Sequence, residues 1–108
     1  MSPKIIKLAQ DVLNIEANEI LKASDKISNE FSDAVECILR CEGRVILSGI
    51  GKSGHIAGKI ASTLSSTGTP SFFMHPGEAS HGDLGMITEK DIVIFLSNSG
   101  ESQELILL

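Results

Sequence analysis

The feature that most constrains the fold is a short β-branched run followed at once by a glycine-rich turn and a helical pattern. Residues 44–48 (Arg-Val-Ile-Leu-Ser) are typical of a buried strand, and residues 49–54 (Gly-Ile-Gly-Lys-Ser-Gly) form the turn. Further strands are predicted at 71–74 and, most clearly, at 91–96. Strands that alternate with helices predict a parallel, three-layer α/β sheet of the flavodoxin or Rossmann type.

Helices are expected before and between these strands. Apolar residues three and four apart predict a helix over 4–22, and a second helix is expected over about 26–41, with Gly43 as its left-handed cap. A third helix is expected over 54–66. The residues that we expect it to turn inward are Ile56, Ile60, Ala61 and Leu64.

The chain of 108 residues has room for one small domain. Its predicted parts are the two leading helices within 4–41 and an α/β part over 44–108. The last four residues (Leu-Ile-Leu-Leu) are wholly apolar and nothing in the sequence is left to bury them. We therefore expect the domain to be incomplete at its C-terminus, and the alternative is a tail that docks onto a partner chain.

The charge balance bears on the partners of the protein. The formal net charge is −5 and the nine basic residues are scattered, whereas a nucleic-acid partner needs clustered Lys and Arg. The N-terminal segment has no long apolar run, so neither a signal peptide nor a membrane span is predicted. We expect no nucleic acid, no membrane and a cytoplasmic location.

Two strand ends carry turns of similar chemistry. Residues 49–54 follow the first strand, and residues 97–102 (Ser-Asn-Ser-Gly-Glu-Ser) follow the third. Ligands of open α/β sheets bind outside the carboxyl ends of the strands, where a helix start points N–H groups at an anion. Because Lys52 adds a positive charge and the serines add donors, we expect the ligand to be a phosphate.

Other interpretations of the first turn are less favoured. It fits G-x-G-x-x-G, but a dinucleotide site needs an acid at the end of the next strand, and none occurs before Glu78. It is not a Walker A loop, since Ile46 stands where the first glycine belongs. A mere tight turn explains Gly49 and Gly51, but not Lys52 beside them.

The segment after the second strand is dense in ionisable side chains. Residues 75–86 contain His75, Glu78, His81 and Asp83, and such density indicates chemistry or a metal site. The two histidines could ligate a metal, although a third strong ligand is not obvious. The plainer alternative is that the histidines bond to loop backbone and the acids are solvated.

Glu101 and Glu104 lie at the start of a last predicted helix, whose N-terminus stabilises carboxylates. Each by itself would be an ordinary acid at a helix start. Beside a phosphate-binding turn, a glutamate one helical turn in is also well placed to act as a general base.

Together these motifs closely resemble the arabinose-5-phosphate isomerases, which belong to the SIS (sugar isomerase) domain class. The matching segments are G-x-G-K-S-G-H, then S-T-G-T-P-S-F-F-x-H-P-G-E-A-x-H-G-D-L-G-M, then S-N-S-G-E-S-x-E. The resemblance covers about residues 5–108 and is most specific from Gly49 to Glu104. It indicates the N-terminal part of such a protein, since the family's later catalytic residues and its frequent CBS domains have no counterpart in this sequence.

The resemblance implies interconversion of D-arabinose 5-phosphate and D-ribulose 5-phosphate, within Kdo synthesis for lipopolysaccharide or capsule. It implies no redox cofactor and a homo-oligomer, commonly a tetramer in the family. Lys52 and Glu104 resemble the catalytic lysine and glutamate, and His75 and His81 resemble histidines near the substrate and an inhibitory metal. The residues implied in substrate or phosphate binding are Gly51, Ser53, His75, His81, Ser97, Asn98, Ser99 and Ser102.

Two other functions stay open beside the isomerase. One is a non-catalytic module that binds phosphosugars, and the other is an inactive, truncated remnant of the enzyme. The set Lys52, His75, His81 and Glu104 favours the enzyme, since a sensor needs a phosphate grip but not these groups.

Overall fold

The computed structural model describes residues 2–77 and 83–98. In chain order the elements are α1 (Ser2–Asp25), α2 (Asn29–Leu39), β1 (Val45–Gly49), α3 (Lys52–Ser66), β2 (Ser71–Phe73), a 3-10 helix (Asp83–Met86) and β3 (Ile92–Leu96). The chain divides into two compact units, residues 1–36 and 37–108. The last predicted helix lies outside the described residues.

The first unit contains α1 and the beginning of α2. α1 runs to Asp25, past the predicted end at residue 22, and none of its residues is buried. An ion pair between Lys7 Nζ and Asp11 Oδ1, 2.8 Å long, has the i, i+4 spacing that supports an exposed helix. None of the helices in residues 2–77 and 83–98 is long and apolar enough to cross a membrane.

The second unit is built on a parallel sheet with the strand order β2-β1-β3. In the central strand, Val45 pairs with Ser71 on one side and with Ile92 on the other. All five residues of β1 are buried, which explains its continuous apolar run. The predicted parallel α/β fold is therefore confirmed, and each strand lies within a residue of its predicted bounds.

Successive residues of β1 face opposite sides of the sheet. Val45 and Leu47 pack with Ala57 and Ala61 of α3, which covers one face of the sheet. Ile46 turns to the other face, where it packs with residues that include Met74 and Val93. The core on the α3 side thus combines large side chains of the strand with small residues of the helix.

The prediction for the inward face of α3 is wrong for its two isoleucines. Ile56 is 55% exposed and Ile60 is 37% exposed, whereas Ala57 and Ala61 are buried. For Ala61, which is buried, and for Leu64, which packs against the same cluster, the prediction is confirmed. The inward face is therefore centred on the two alanines rather than on the isoleucines.

Asp91 ties together the amino-terminal edge of the sheet. Its Oδ2 accepts the Thr88 backbone N–H at 2.8 Å, and its Oδ1 accepts the Arg44 backbone N–H at 2.7 Å. These bonds, that from Thr88 foremost, hold the pKa of the Asp91 carboxyl below its ordinary value. Gly43 lies against this carboxyl, and a Cβ there would be 2.6 Å from the Lys90 carbonyl oxygen.

The prediction that Gly43 is a left-handed helix cap is therefore wrong. α2 already ends at Leu39, and in the described part of the chain only Gly51 and Gly68 have a positive φ. Gly43 is needed for the close approach of two chain segments. Gly68, with φ 102°, follows the end of α3 at Ser66.

Candidate functional site

The carboxyl ends of β1 and β3 lie side by side, because Gly49 pairs with Leu96 in parallel register. The turns that begin at Ile50 and Ser97 therefore leave the same edge of the sheet at neighbouring positions. β1 lies between β2 and β3, so β2 is added to the sheet on one side of β1 and β3 on the other. The direction in which strands are added therefore changes between β1 and β3. Open α/β sheets bind their ligands at such a switch point.

Gly51 sets the geometry of the first turn. It takes φ 61° and ψ −129° immediately before α3, a conformation that residues with a side chain rarely adopt. Gly51 has no side chain with which to cap α3, and no side chain of the described residues caps the helix at this end. The N–H groups of its first turn, together with the positive end of the helix dipole, are those that an anion would bind.

Gly49 and Gly54 bring this turn tightly against the strand ends. A Cβ on Gly54 would lie 2.6 Å from the carbonyl oxygen of Gly49. A Cβ on Gly49 would lie 2.9 Å from the carbonyl oxygen of Leu96. Both glycines are therefore required by proximity, and only Gly51 is required by backbone conformation.

The polar groups at this edge suit a negatively charged ligand. Lys52 is exposed, and within the described ranges no carboxylate forms an ion pair with it. Ser53 is half-buried at the start of α3, and Ser97 and Asn98 are exposed after β3. These residues combine a cation, hydroxyl and amide donors, and a helix N-terminus.

A cavity of about 380 Å³ opens beside the first turn, on the side of α3 that faces β2. Its wall is mostly main chain, with two imidazoles and one aromatic ring. The lining residues are Gly49, Gly51, Gly54, His55, Gly58, Phe73 and His75.

His75 follows the end of β2 and lines this cavity. Its Nδ1 accepts a hydrogen bond from the Gly77 backbone N–H at 2.9 Å. This bond to loop backbone is the one that the plainer interpretation of the segment predicts. Because Nδ1 accepts, neutral His75 carries its proton on Nε2, which leaves that nitrogen as a donor.

The structure brings four of the sequence-predicted site residues to the first turn and its cavity. They are Gly51, Lys52, Ser53 and His75, and Ser97 and Asn98 lie at the neighbouring strand end. His81, Ser99, Ser102 and Glu104 lie outside the described residues. In the part of the chain that is described, no group of three His, Cys, Asp or Glu side chains could hold a metal ion.

Sequence reasoning assigned no role to His55 or Phe73, which also line the cavity. For His55 a signal existed, because it lies four residues after Gly51 and so on the same side of the helix start. For Phe73 there was none, since strand alternation does not say which strand end borders a cavity.

The SIS domain family model matches residues 38–108. This match covers the whole sheet of the second unit, with both strand-end turns. The chain therefore belongs to the SIS domain family, and the resemblance predicted from its motifs is confirmed.

The similar curated proteins include two arabinose 5-phosphate isomerases. The chain is 58% identical over 99 residues to KdsD of Yersinia pestis, covering 92% of this chain and 30% of that protein. It is 49% identical over 108 residues to GutQ of Escherichia coli (strain K12), covering 100% of this chain and 34% of that protein. The chain thus spans about a third of the length of these curated relatives.

Solved structures also resemble this chain. An E. coli CFT073 protein in complex with arabinose 5-phosphate has a TM-score of 0.91 and 42% sequence identity, covering 98% of this chain and 56% of that one. A Bacteroides fragilis NCTC 9343 protein assigned to the phosphosugar isomerases has a TM-score of 0.70 and 40% identity, covering 84% and 53%. The fold of the described chain is therefore shared with larger phosphosugar-related proteins.

Proposed function

We propose that this chain is part of an aldose–ketose isomerase that interconverts D-arabinose 5-phosphate and D-ribulose 5-phosphate. The observation that carries the proposal is the position of Lys52 at the uncapped start of α3, beside the neighbouring end of β3. Relatives named arabinose 5-phosphate isomerase, and a similar structure in complex with arabinose 5-phosphate, support this choice of substrate.

The phosphate group of the substrate occupies the N-terminus of α3 in this proposal. The N–H groups of the first helical turn and the Ser53 hydroxyl donate to its oxygens, and Lys52 balances its charge. Ser97 and Asn98 approach from the adjacent strand end, and Ser99 and Ser102 complete the grip. A held phosphate fixes the orientation of the reacting carbons and contributes binding energy to catalysis.

The reaction moves a proton between two neighbouring carbons. A base removes the proton from C2 of the aldose, next to the carbonyl group, and the electron pair shifts to form an enediolate. Glu104 acts as this base, and the Lys52 ammonium stabilises the enediolate oxygens. Transfer of the O2 hydroxyl proton to O1 and return of a proton to C1 give the ketose, so the reaction needs no redox cofactor.

The wider role that we propose from the resemblance is Kdo synthesis in the cytoplasm, by a homo-oligomer without a nucleic-acid partner. A metal ion bound by His75 and His81 would compete with the substrate and inhibit the enzyme.

The test is an isomerase assay of the 108-residue chain with D-arabinose 5-phosphate, in which D-ribulose 5-phosphate is detected. Turnover by the parent chain that is lost in Lys52→Ala would support the proposal, and it would contradict the expectation that the domain is incomplete. Lys90→Ala is the matched control, because Lys90 lies just before β3 at the opposite edge of the sheet, 3.9 Å from Glu42 Oε2. The control should keep full turnover.

Three other results are informative. Equal turnover in Lys52→Ala and Lys90→Ala would remove Lys52 from the mechanism. A folded chain that binds D-arabinose 5-phosphate without turning it over would instead be a phosphosugar-binding module. A folded chain that neither binds nor converts the sugar phosphate would contradict the proposed function.

A further inference from the structure

One side of α3 forms a wall of the cavity. The positions on this side recur at i, i+3, i+4 and i+7, as expected for one side of a helix. They are Gly51, Gly54, His55 and Gly58. Three of these residues are glycine, so on this side of α3 only His55 contributes a side chain larger than a hydrogen atom to the wall.

Packing within the described chain does not explain the glycine at position 58. A Cβ on Gly58 would have no heavy atom within 4 Å, whereas a Cβ on Gly54 would lie 2.6 Å from Gly49 O. Glycine is less favourable than alanine inside a helix. What Gly58 provides is open space in the cavity along the helix.

The imidazole of His55 suits a hydroxyl-bearing ligand. It is exposed, and it forms no hydrogen bond with another residue of the described ranges. A neutral imidazole offers one donor and one acceptor, which matches a sugar hydroxyl that can both donate and accept. In the same cavity His75 presents a donor, since its Nδ1 already accepts from Gly77.

The position of His55 relative to the phosphate turn also fits a sugar. It follows Gly51 by four residues, which corresponds to about 6 Å along a helix axis. A ligand whose phosphate lies at the helix start would therefore extend its attached carbons past His55 if it entered this cavity.

We propose that His55 is a specificity-determining residue of the sugar-phosphate site. Its imidazole hydrogen-bonds a hydroxyl of the sugar, which lies in the cavity between α3 and the end of β2. Gly58 keeps the space that the sugar occupies. This inference rests on the proposed function. In addition, it states on which side of the phosphate-binding turn the sugar lies.

The test compares the binding of D-arabinose 5-phosphate and of inorganic phosphate to the 108-residue chain by titration calorimetry. We expect His55→Ala to lower the affinity for D-arabinose 5-phosphate by about three- to tenfold, which corresponds to the loss of one uncharged hydrogen bond. The affinity for inorganic phosphate should not change. His55→Gln, which keeps a donor and an acceptor, should recover part of the affinity. Lys52→Ala should lower the affinity for both ligands.

Gly58→Ala provides a second, independent variant. Its methyl group would have no heavy atom of the described residues within 4 Å, so the variant should fold and yet bind D-arabinose 5-phosphate more weakly than the parent does. Ser62→Ala, an exposed position on the same helix that does not line the cavity, is the control and should bind both ligands like the parent. Far-UV circular dichroism establishes that each variant is folded.

Several results would overturn the inference. If His55→Ala leaves the affinity for D-arabinose 5-phosphate unchanged, or weakens inorganic phosphate by the same factor, His55 does not recognise the sugar, while the proposed function stands. If His55→Ala fails to fold, the test depends on Gly58→Ala. An unchanged affinity of that variant for D-arabinose 5-phosphate would then overturn the inference. If the parent chain does not bind D-arabinose 5-phosphate at all, the proposed function fails and this inference fails with it.

Discussion

The same substitution at two glycines of α3 should have opposite effects on stability. Gly54 and Gly58 lie one helical turn apart, and neither has a positive φ. A methyl group on Gly58 would have no heavy atom of the described part of the chain within 4 Å, whereas one on Gly54 would lie 2.6 Å from the Gly49 carbonyl oxygen. The pair thus separates helix propensity from steric contact.

The expected magnitudes follow from these two surroundings. Gly58→Ala should raise the free energy of unfolding by about 0.8–1 kcal/mol, the propensity difference between glycine and alanine in a helix. Gly54→Ala gains at most the same amount but must displace a main-chain oxygen, for which we take the upper half of the usual overpacking cost, about 2–3 kcal/mol. Its net effect is a loss of about 1–2 kcal/mol.

Urea and thermal unfolding, followed by circular dichroism at 222 nm, measure this difference. The two variants should differ by about 2–3 kcal/mol, since the propensity gain cancels between them. For a domain of this size, that difference separates their Tm values by at least about 8 °C. If both variants shift in the same direction by similar amounts, the close contact between Gly54 and Gly49 does not exist and the reasoning is refuted.

Two further predictions concern single polar groups. Asp91→Asn should destabilise the protein at pH 7. The folded-state pKa of Asp91 is below its ordinary value of 3.8. The carboxylate therefore stabilises the folded protein fully above pH 3.8, and this stabilisation is lost as the pH falls through the folded-state pKa. The Tm difference from the parent should therefore narrow below pH 3.8, and a constant difference would contradict the role of the charge. Ser48→Ala removes the buried hydroxyl that donates to the Met74 carbonyl, and urea unfolding should show a loss of about 1 kcal/mol; no loss would mean that this bond does not stabilise the sheet.

Much of the fold could be predicted because its signals are local. The buried run of β1 and the helix that follows its glycine-rich turn each follow from residue types within a few positions. The same holds for the phosphate-binding interpretation, because the backbone conformation of Gly51 and the charge of Lys52 belong to one turn. The family resemblance likewise follows from contiguous motifs.

Other parts of the site could not be predicted, because they depend on distances between separate segments. Gly43 has the sequence context of a helix cap, yet what requires glycine there is the Lys90 carbonyl oxygen, brought close by the sheet. Similarly, His55 shares its cavity with Phe73 and His75 only because β1 and β2 pair in parallel. Neither fact is encoded in the neighbouring residues alone.

The sequence by itself therefore determined the parallel α/β class, the strands and the turn that suits a phosphate. The tertiary structure alone decided which side of α3 packs against the sheet and which lines the cavity. The physical reason is that periodicity ranks side chains by hydrophobicity, which favoured Ile56 and Ile60. In the folded chain the close packing of α3 on β1 buries Ala57 beside the predicted Ala61 and leaves both isoleucines exposed.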